Sequence, residues 1–205
     1  MDVADGAALS HWLEEYRAEE RPPLRGVVHA AGVLEPAPAL EVNADRLLRH
    51  LRPKLGGALE LERALADEPL DFFVLFSSGS AVVASPQLGE YAAANACLDA
   101  VAERRRAAGK PALSIAWGPW GEAGMLFDAA RQAGRLFQVM GTMKSADALE
   151  LMQQCATERN DPIAALYTMR CAKLLQRPPP GDWDGVWTDA EPVPVAAAVA
   201  KTPSA

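Results

Sequence analysis

The sequence predicts an α/β protein built around a parallel β-sheet, and three observations support that prediction. Short apolar segments alternate with longer segments whose apolar residues recur every three or four positions, in the order β-α-β-α-β. The apolar segments are continuous, which is typical of strands that helices cover on both faces. Glycine and proline residues separate the segments. We therefore expect a parallel sheet with right-handed crossovers and helices on both faces.

The first half of the chain supplies two helices with a strand between them. Apolar residues at helical spacing precede the helix-breaking stretch RPPLR. In the second helical stretch, Pro53 and the pair Gly56–Gly57 are expected to produce a kink. The predicted elements of this half are a helix over residues 8–20, a strand over residues 26–32 (GVVHAAG) and a helix over residues 43–66.

The second half continues the alternation and ends in a Pro- and Ala-rich stretch. Gly109 is expected to close the helix before it as a C-cap. From Arg177 onward the composition predicts a linker or disordered tail, with Trp183 and Trp187 as its only anchors. The predicted elements are strands over residues 71–78, 111–118 and 161–169 and helices over residues 90–109, 126–139 and 145–157.

The composition excludes several classes of function. A length of 205 residues accommodates one substantial core, and 20 Lys and Arg against 27 Asp and Glu give a net charge of −7, which argues against nucleic-acid binding. The three cysteines lie far apart, so we expect neither a metal site nor a disulfide framework. No apolar run is long enough to span a membrane, and we expect a soluble cytoplasmic protein without membrane contacts.

Chemically distinctive side chains follow each predicted strand. Because ligands bind outside the carboxyl ends of parallel strands, these side chains are expected to share one crevice. Tyr91 opens the helix after the second strand, and Asn95 lies one turn later on the same helix face. Lys54 lies on the helical stretch between the first two strands, within reach of the same crevice. The residues at the strand ends are His29 to Gly32, Ser77, Ser78 and Trp117 to Trp120.

These residue types together suit the reduction of a carbonyl group. A phenol has a pKa near ~10, and a neighbouring ammonium such as that of Lys54 is expected to lower it. The Ser78 hydroxyl can hold a carbonyl oxygen, and Asn95 can order waters that resupply protons. Taken singly, each residue has a simpler structural explanation. A tyrosine can pack, a serine can cap a turn and a lysine can lie on a solvated helix face.

Three stretches resemble the ketoreductase domain of modular type I polyketide synthases, a branch of the short-chain dehydrogenase/reductase superfamily. They are HAAGV, PKLGGALEL and the stretch FVLFSSGSAVVASPQLGEYAAANACLDAVAERRRAAGKPALSIAWGPWGEAGM. The motifs occur in the order and spacing of that family, over roughly residues 1–175. The resemblance implies a Rossmann-like fold, with residues 176–205 as the tail and residues 121–144 as a lid over the acyl chain.

The resemblance also assigns roles to residues. It implies that Tyr91 is the catalytic acid, that Ser78 binds the carbonyl, and that Lys54 and Asn95 have exchanged the positions they hold elsewhere in the superfamily. The implied hydride donor is NADPH, and the implied substrate is a β-ketoacyl chain on the phosphopantetheine arm of an acyl carrier protein. His29 is expected to line the cofactor without transferring protons. The implied cofactor-binding residues are Asp2, Val3, His29, Ala30, Ala31, Gly32, Pro119 and Trp120.

The sequence departs from the family pattern in two ways. It contains no G-x-G-x-x-G motif, so we expect the strands that carry the phosphate loop to lie upstream of Met1. The sheet should then lack its N-terminal strands, and strand 26–32 should expose an edge. Cofactor should then bind weakly unless another chain or segment supplies that half. The stereochemical fingerprints are also absent, although Pro36, which replaces the second Asp of B-type members, favours the A-type.

Two alternatives to a reductase remain. A non-catalytic structural or interaction module of a megasynthase would explain the lack of a phosphate loop. Epimerisation of an α-substituent is disfavoured, because relatives that only epimerise often lack part of the Ser, Lys, Tyr and Asn set.

Overall fold

The computed structural model describes residues 1–19, 21–83, 86–119 and 144–158. Residues 1–142 and 143–205 form two compact units. The described part of the second unit is one helix, Ser145–Glu158, which confirms the helix predicted over residues 145–157. Within the described ranges, no helix is long and apolar enough to cross a membrane.

The described residues of the first unit form a sheet of three parallel strands in the order β1-β2-β3. Gly26 pairs with Phe72 and His29 with Leu75, while Val74 pairs with Leu113 at the start of the second ladder. The strands are β1 (Gly26–His29), β2 (Phe72–Ser78) and β3 (Leu113–Trp117). The predicted β-α-β-α-β order is confirmed, and the fold is a Rossmann-like α/β arrangement.

Helices connect and flank these strands. They are α1 (Gly6–Ala18), α2 (Ala44–Leu51), α3 (Gly57–Ala64) and α4 (Gly89–Ala107), and the helix of the second unit is α5 (Ser145–Glu158). Short 3-10 turns occupy Ala39–Glu41 and Gly79–Ala81. Side chains of β2 and α4, among them Phe73, Leu75 and Leu98, form the main core, in which each of these three is fully buried.

Helix α1 begins two residues before its predicted start. Asp5 is the N-cap, and its Oδ1 accepts hydrogen bonds from the backbone N–H groups of Ala7 and Ala8 at 3.0 and 3.1 Å. A carboxylate in this position satisfies amides that have no partner inside the helix. The apolar spacing identified the buried face, with Leu9 and Leu13, but not the cap.

The kink predicted in residues 43–66 is a π-helical turn, Arg52–Gly56, between α2 and α3. Pro53 has no N–H to donate, and the turn widens so that the N–H of Gly57 bonds to the carbonyl of Arg52. The extra residue changes which side chains face inward. Lys54 is 2% exposed as a result, so its alternative as a solvated lysine on a helix face is wrong.

Strand β1 is shorter than predicted and lies at an edge of the sheet. It ends at His29, and Val28 is 43% exposed. The expectation that helices cover this strand on both faces is therefore not met in this chain. Within the described ranges no strand pairs with the outer side of β1, as the predicted exposed edge requires.

Helix α4 ends as the sequence predicts. Gly109 has a φ of 73°, in the left-handed region, and its N–H bonds to the Arg106 carbonyl at 2.9 Å. The N–H of Lys110 bonds to the Arg105 carbonyl at 3.0 Å, which completes a Schellman motif. The motif fixes the direction in which the chain enters β3.

Several predictions fall outside the described residues. These are the helix over 126–139, the strand over 161–169, Trp120, all but the last residue of the lid, the tail over 176–205 with Trp183 and Trp187, and the boundary at residue 175.

Candidate active site

The four predicted catalytic residues come together at the carboxyl end of β2. Ser78 is the last residue of that strand, Tyr91 lies in the first turn of α4, Asn95 lies one turn later, and Lys54 projects from the π-helical turn. All four are buried, with exposures of 6%, 7%, 0% and 2% in that order. Burying three polar side chains and a lysine in one place costs free energy unless they form hydrogen bonds.

Lys54 lies between the backbone of β2 and the ring of Tyr91. Its Nζ donates a hydrogen bond to the carbonyl of Phe76 at 2.9 Å and lies 5.5 Å from the centroid of the Tyr91 ring. Burial lowers the pKa of Lys54 to about 8, although the charge of Asp99 opposes the shift. The amine can therefore gain and lose a proton close to physiological pH.

Tyr91 is a neutral phenol in this structure. Burial raises its pKa above the ordinary value, while hydrogen-bonding groups of Asn95 and Ser78 oppose the shift. The expected lowering of this pKa by Lys54 is not found, because desolvation dominates and the ammonium is bonded to the Phe76 carbonyl beside the ring. A neutral phenol can still donate its proton to an oxyanion that forms beside it.

Ser78 and Asn95 are each held by hydrogen bonds to neighbouring groups. Ser78 Oγ accepts bonds from the N–H and hydroxyl of Ser80 at 3.2 and 3.0 Å, which leaves its own proton available to a substrate oxygen. Asn95 Nδ2 donates to the Tyr91 carbonyl at 2.8 Å, and Ser77 Oγ donates to the Asn95 carbonyl at 3.2 Å. The buried Asn95 Oδ1 has no partner among the described residues, so it can accept a bond from a water.

His29 and Val3, both predicted to contact the cofactor, meet at the start of α3. The His29 ring is 3% exposed, and its Nε2 lies 2.9 Å from the Lys54 carbonyl. A methyl group on Gly57 would lie 2.6 Å from Val3 Cγ1 and 2.9 Å from His29 Cε1. Only a hydrogen side chain fits there, so Gly57 keeps the ring seated against the turn that carries Lys54.

Replacing Gly57 by Ala should therefore destabilise the chain. The added methyl overlaps two packed side chains, and overpacking of this kind costs about 1–3 kcal/mol. The matched control is Gly89→Ala at the start of α4, where the added carbon has no neighbour within 4 Å apart from the adjacent residues and the backbone of its own helix. Urea denaturation should show a lower free energy of unfolding for Gly57→Ala and an unchanged or higher one for Gly89→Ala; equal values would contradict the close packing.

The remaining predicted cofactor residues lie near the carboxyl ends of β1 and β3 or before α1. Ala30, Ala31 and Gly32 follow β1 directly, and Pro119 follows β3. Asp2 is exposed, and its carboxylate accepts bonds from the Ala4 N–H at 3.0 Å and from Arg52 at 3.1 Å. Ala30 is exposed and Ala31 and Gly32 are half-buried, so a flat ring such as a nicotinamide can approach this segment. The described residues contain no group of side chains that could hold a metal ion.

Comparison with known families identifies this arrangement. The family model described as KR domain matches residues 1–122, which is more than half of the chain.

The chain belongs to the ketoreductase domain family of type I polyketide synthases.

Individual relatives agree with this assignment. Phenolphthiocerol synthesis polyketide synthase type I Pks15/1 of Mycobacterium bovis is 39% identical over 179 residues, 86% of this chain and 8% of that protein. The solved ketoreductase from the first module of phoslactomycin biosynthesis in Streptomyces sp. HK803 is 43% identical, with a TM-score of 0.65 over 73% of this chain and 34% of that chain. A structure of A-type ketoreductases from a modular polyketide synthase is 42% identical, with a TM-score of 0.68 over 76% of this chain and 32% of that chain.

The chain thus spans about a third of each of these solved ketoreductases and less than a tenth of the curated synthase. The activity of a whole ketoreductase domain is accordingly a proposal for this chain.

The sequence did not identify other polar residues that surround the site. Buried Glu90 and His50 form a cluster with half-buried Arg46 next to Tyr91, and Ser114 Oγ donates to Asp99 Oδ1 at 2.5 Å. The sequence contained only a weak signal for the cluster of Glu90, Arg46 and His50. Arg46 and His50 are four residues apart on one helix, and Glu90 is a carboxylate in the first turn of another, which is an ordinary place for it.

Proposed function

We propose that this chain is the catalytic part of a ketoreductase that uses NADPH to reduce a β-ketoacyl thioester on an acyl carrier protein to the β-hydroxyacyl thioester in polyketide biosynthesis. The observation that carries the proposal is the burial of Ser78, Tyr91, Asn95 and Lys54 together at the carboxyl end of β2. Family membership supports ketone reduction as the chemistry, and the relatives named above are polyketide synthases or their ketoreductases.

In this mechanism, NADPH would supply, when bound, the hydride for the ketone carbon. Ser78 donates a hydrogen bond to the ketone oxygen and holds it beside the phenol of Tyr91. As the carbonyl bond becomes a single bond, the negative charge on that oxygen is neutralised by the Tyr91 proton. Lys54, with a pKa of about 8, can then return a proton to Tyr91, and a water on Asn95 Oδ1 can connect the amine to solvent.

The cofactor would be held by residues on two sides of this site. His29 and the segment Ala30–Gly32 would face the nicotinamide end together with Pro119 and Trp120, and Asp2 and Val3 would face the adenine end. Ala30, Ala31 and Gly32 support this placement because their side chains are small. The sequence offers no glycine-rich loop for the phosphates.

We therefore propose that polypeptide outside this sequence, a ketoreductase N-terminal half, completes the cofactor site. The outer edge of β1 is where a further parallel strand would pair. Other synthase domains and the carrier protein would be its further partners, in the cytoplasm. The alternative is a module that only scaffolds a synthase, and the lack of a phosphate loop favours it. The following test distinguishes this alternative from a catalytic role.

NADPH should bind tightly only when the N-terminal half is present. We expect fluorescence titration of this chain alone to show weak or no binding, and titration after mixing with a ketoreductase N-terminal half to saturate. Tight binding by the chain alone would contradict the proposed division of the site. Tight binding by the mixture without reduction of a β-ketoacyl thioester would support the scaffold instead.

A further inference from the structure

A cluster of charged and polar side chains adjoins the site and is separate from the four catalytic residues. It consists of Glu90, Arg46 and His50 with the backbone of Glu35, and we refer to it as the Glu90 cluster. The side chain of Glu90 is 1% exposed, His50 is 1% exposed, and the side chain of Arg46 is 20% exposed. Charges taken out of water in this way are retained only with close partners.

Arg46 connects two segments that the chain keeps far apart in sequence. Its Nε donates to Glu90 Oε1 at 3.0 Å, and its Nη2 donates to the Glu35 carbonyl at 2.9 Å. The backbone N–H of Arg46 is itself bonded to the side chain of Asn43, the N-cap of α2, at 3.0 Å. The N-cap therefore fixes the backbone of Arg46, and Glu90 and the Glu35 carbonyl fix its guanidinium.

His50 repeats the connection one helical turn later. Its Nδ1 lies 2.9 Å from the Arg46 carbonyl, and its Nε2 lies 3.3 Å from the N–H of Glu35. Because that N–H can only donate, Nε2 is the acceptor and the ring proton is on Nδ1. Arg46 and His50 thus hold both backbone groups of Glu35, in the loop that follows His29 to Gly32.

The same loop is tied to α4 at a second point. The N–H of Ala37 donates to the Gln87 carbonyl at 2.9 Å, two residues before α4 begins. Gln87 has a φ of 62°, a left-handed conformation that costs free energy for a residue with a side chain. The entry to α4 is held in a strained turn against this loop.

Each member of the cluster is adjacent to a part of the active site. Glu90 immediately precedes Tyr91 on α4, and α2, which bears Arg46 and His50, continues directly into the turn that carries Lys54. A shift of α2 against α4 would change the separation between Lys54 Nζ and the Tyr91 ring, which is 5.5 Å.

We propose that the Glu90 cluster positions the catalytic residues for ketone reduction. The Arg46–Glu90 ion pair sets the placement of Lys54 against Tyr91. The bonds to Glu35 align the loop after β1 with Lys54 and Tyr91. The inference rests on the proposed function. Glu90 acts as a fixed carboxylate and does not transfer protons. Burial raises its pKa, but its own backbone N–H and then Arg46 outweigh that effect and lower the pKa overall.

The test compares variants in the ketoreductase domain completed with its N-terminal half. Glu90→Gln keeps the shape of the side chain and removes its charge. Arg46→Lys keeps the charge and removes the planar guanidinium that bonds to Glu90 and Glu35. A misplacement of this kind should lower kcat by about 10- to 100-fold for Glu90→Gln, with the KM for the thioester within about twofold. Arg46→Lys should be intermediate, and the double variant should be no slower than Glu90→Gln.

Glu62→Gln is the matched control. Glu62 pairs with Arg104 and Arg105 near the other end of α4, so its loss perturbs an interhelical ion pair away from the catalytic residues. It should lower the melting temperature about as much as Glu90→Gln does and leave kcat unchanged. If Glu90→Gln proves too unstable to assay, the comparison of Arg46→Lys with Glu62→Gln decides the question by the same criterion.

The outcomes separate this proposal from the proposed function. If the parent domain reduces the thioester, Tyr91→Phe does not, and Glu90→Gln and Arg46→Lys keep the parent kcat, the positioning role is wrong and the reductase stands. A kcat loss of equal size in Glu62→Gln would also overturn it, because the effect would then follow stability. If the parent domain fails to reduce the thioester, both fail, because the positioning role requires a reductase.

Discussion

Replacing Tyr91 by Phe should reduce the rate of ketone reduction far more than any other conservative change in this chain. Removal of one hydroxyl leaves the packing of a ring that is 7% exposed almost intact but removes the proton donor. General acid catalysis typically contributes about 10²- to 10⁴-fold, and we expect kcat to fall by that factor. NADPH oxidation at 340 nm, followed in the completed domain with a β-ketoacyl thioester, measures it.

The control for this variant is a tyrosine away from the site. Tyr16 on α1 donates its hydroxyl to the Pro22 carbonyl at 2.8 Å, so Tyr16→Phe also loses one hydrogen bond but should keep kcat. NADPH affinity should stay within about twofold for Tyr91→Phe, because the lost group contacts the ketone rather than the cofactor. A Tyr91→Phe variant that turns over at the parental rate would show that another group protonates the alkoxide.

The second large effect is a rise of stability with pH that originates in Lys54. Its pKa is about 8 in the folded chain, against an ordinary value of 10.5. Between these values the unfolded chain binds more protons than the folded chain, so the free energy of unfolding increases with pH. The penalty of burying the ammonium is complete below pH 8, and its relief by pH 10 should be worth roughly 2 kcal/mol.

Tyr91 acts in the opposite sense but at higher pH. Burial raises its pKa, so the folded chain retains that proton longer than the unfolded chain, and stability declines only above the ordinary pKa of a phenol, near ~10. The window from pH 8 to pH 10 therefore reports mainly on Lys54 among the residues of the site.

Urea denaturation of the parent chain and of Lys54→Met at several pH values between 7 and 10 tests this prediction. The parent should gain stability over the window, and Lys54→Met should lack that gain because methionine does not titrate. Lys110→Met, which removes an exposed lysine, should keep the parental slope. A slope that is the same in the parent and in Lys54→Met would mean that Lys54 is not buried as a titrating amine.

The sequence was sufficient for those features that depend on local pattern. The continuous apolar runs around Val27 and Phe73 predicted parallel strands, and the glycine at 109 predicted the end of α4, because both depend on the preferences of neighbouring residues. The spacing of Ser78, Tyr91 and Asn95 likewise predicted a shared site, because a strand end and the following helix start are neighbours in any parallel α/β sheet.

Only the tertiary structure decided which polar groups are buried and what they contact. Taken alone, Lys54 was best interpreted from the sequence as a lysine on a solvated helix face, but the structure places it at 2% exposure. Desolvation lowers the pKa of Lys54 and raises that of Tyr91. Arg46 and Glu90 form an ion pair across 44 residues of sequence, a separation over which no periodicity carries information. The desolvation of Lys54 and the pairing of Arg46 with Glu90 both arise when α2 packs against α4. Local sequence patterns do not predict either, because both depend on contacts that exist only in the folded chain.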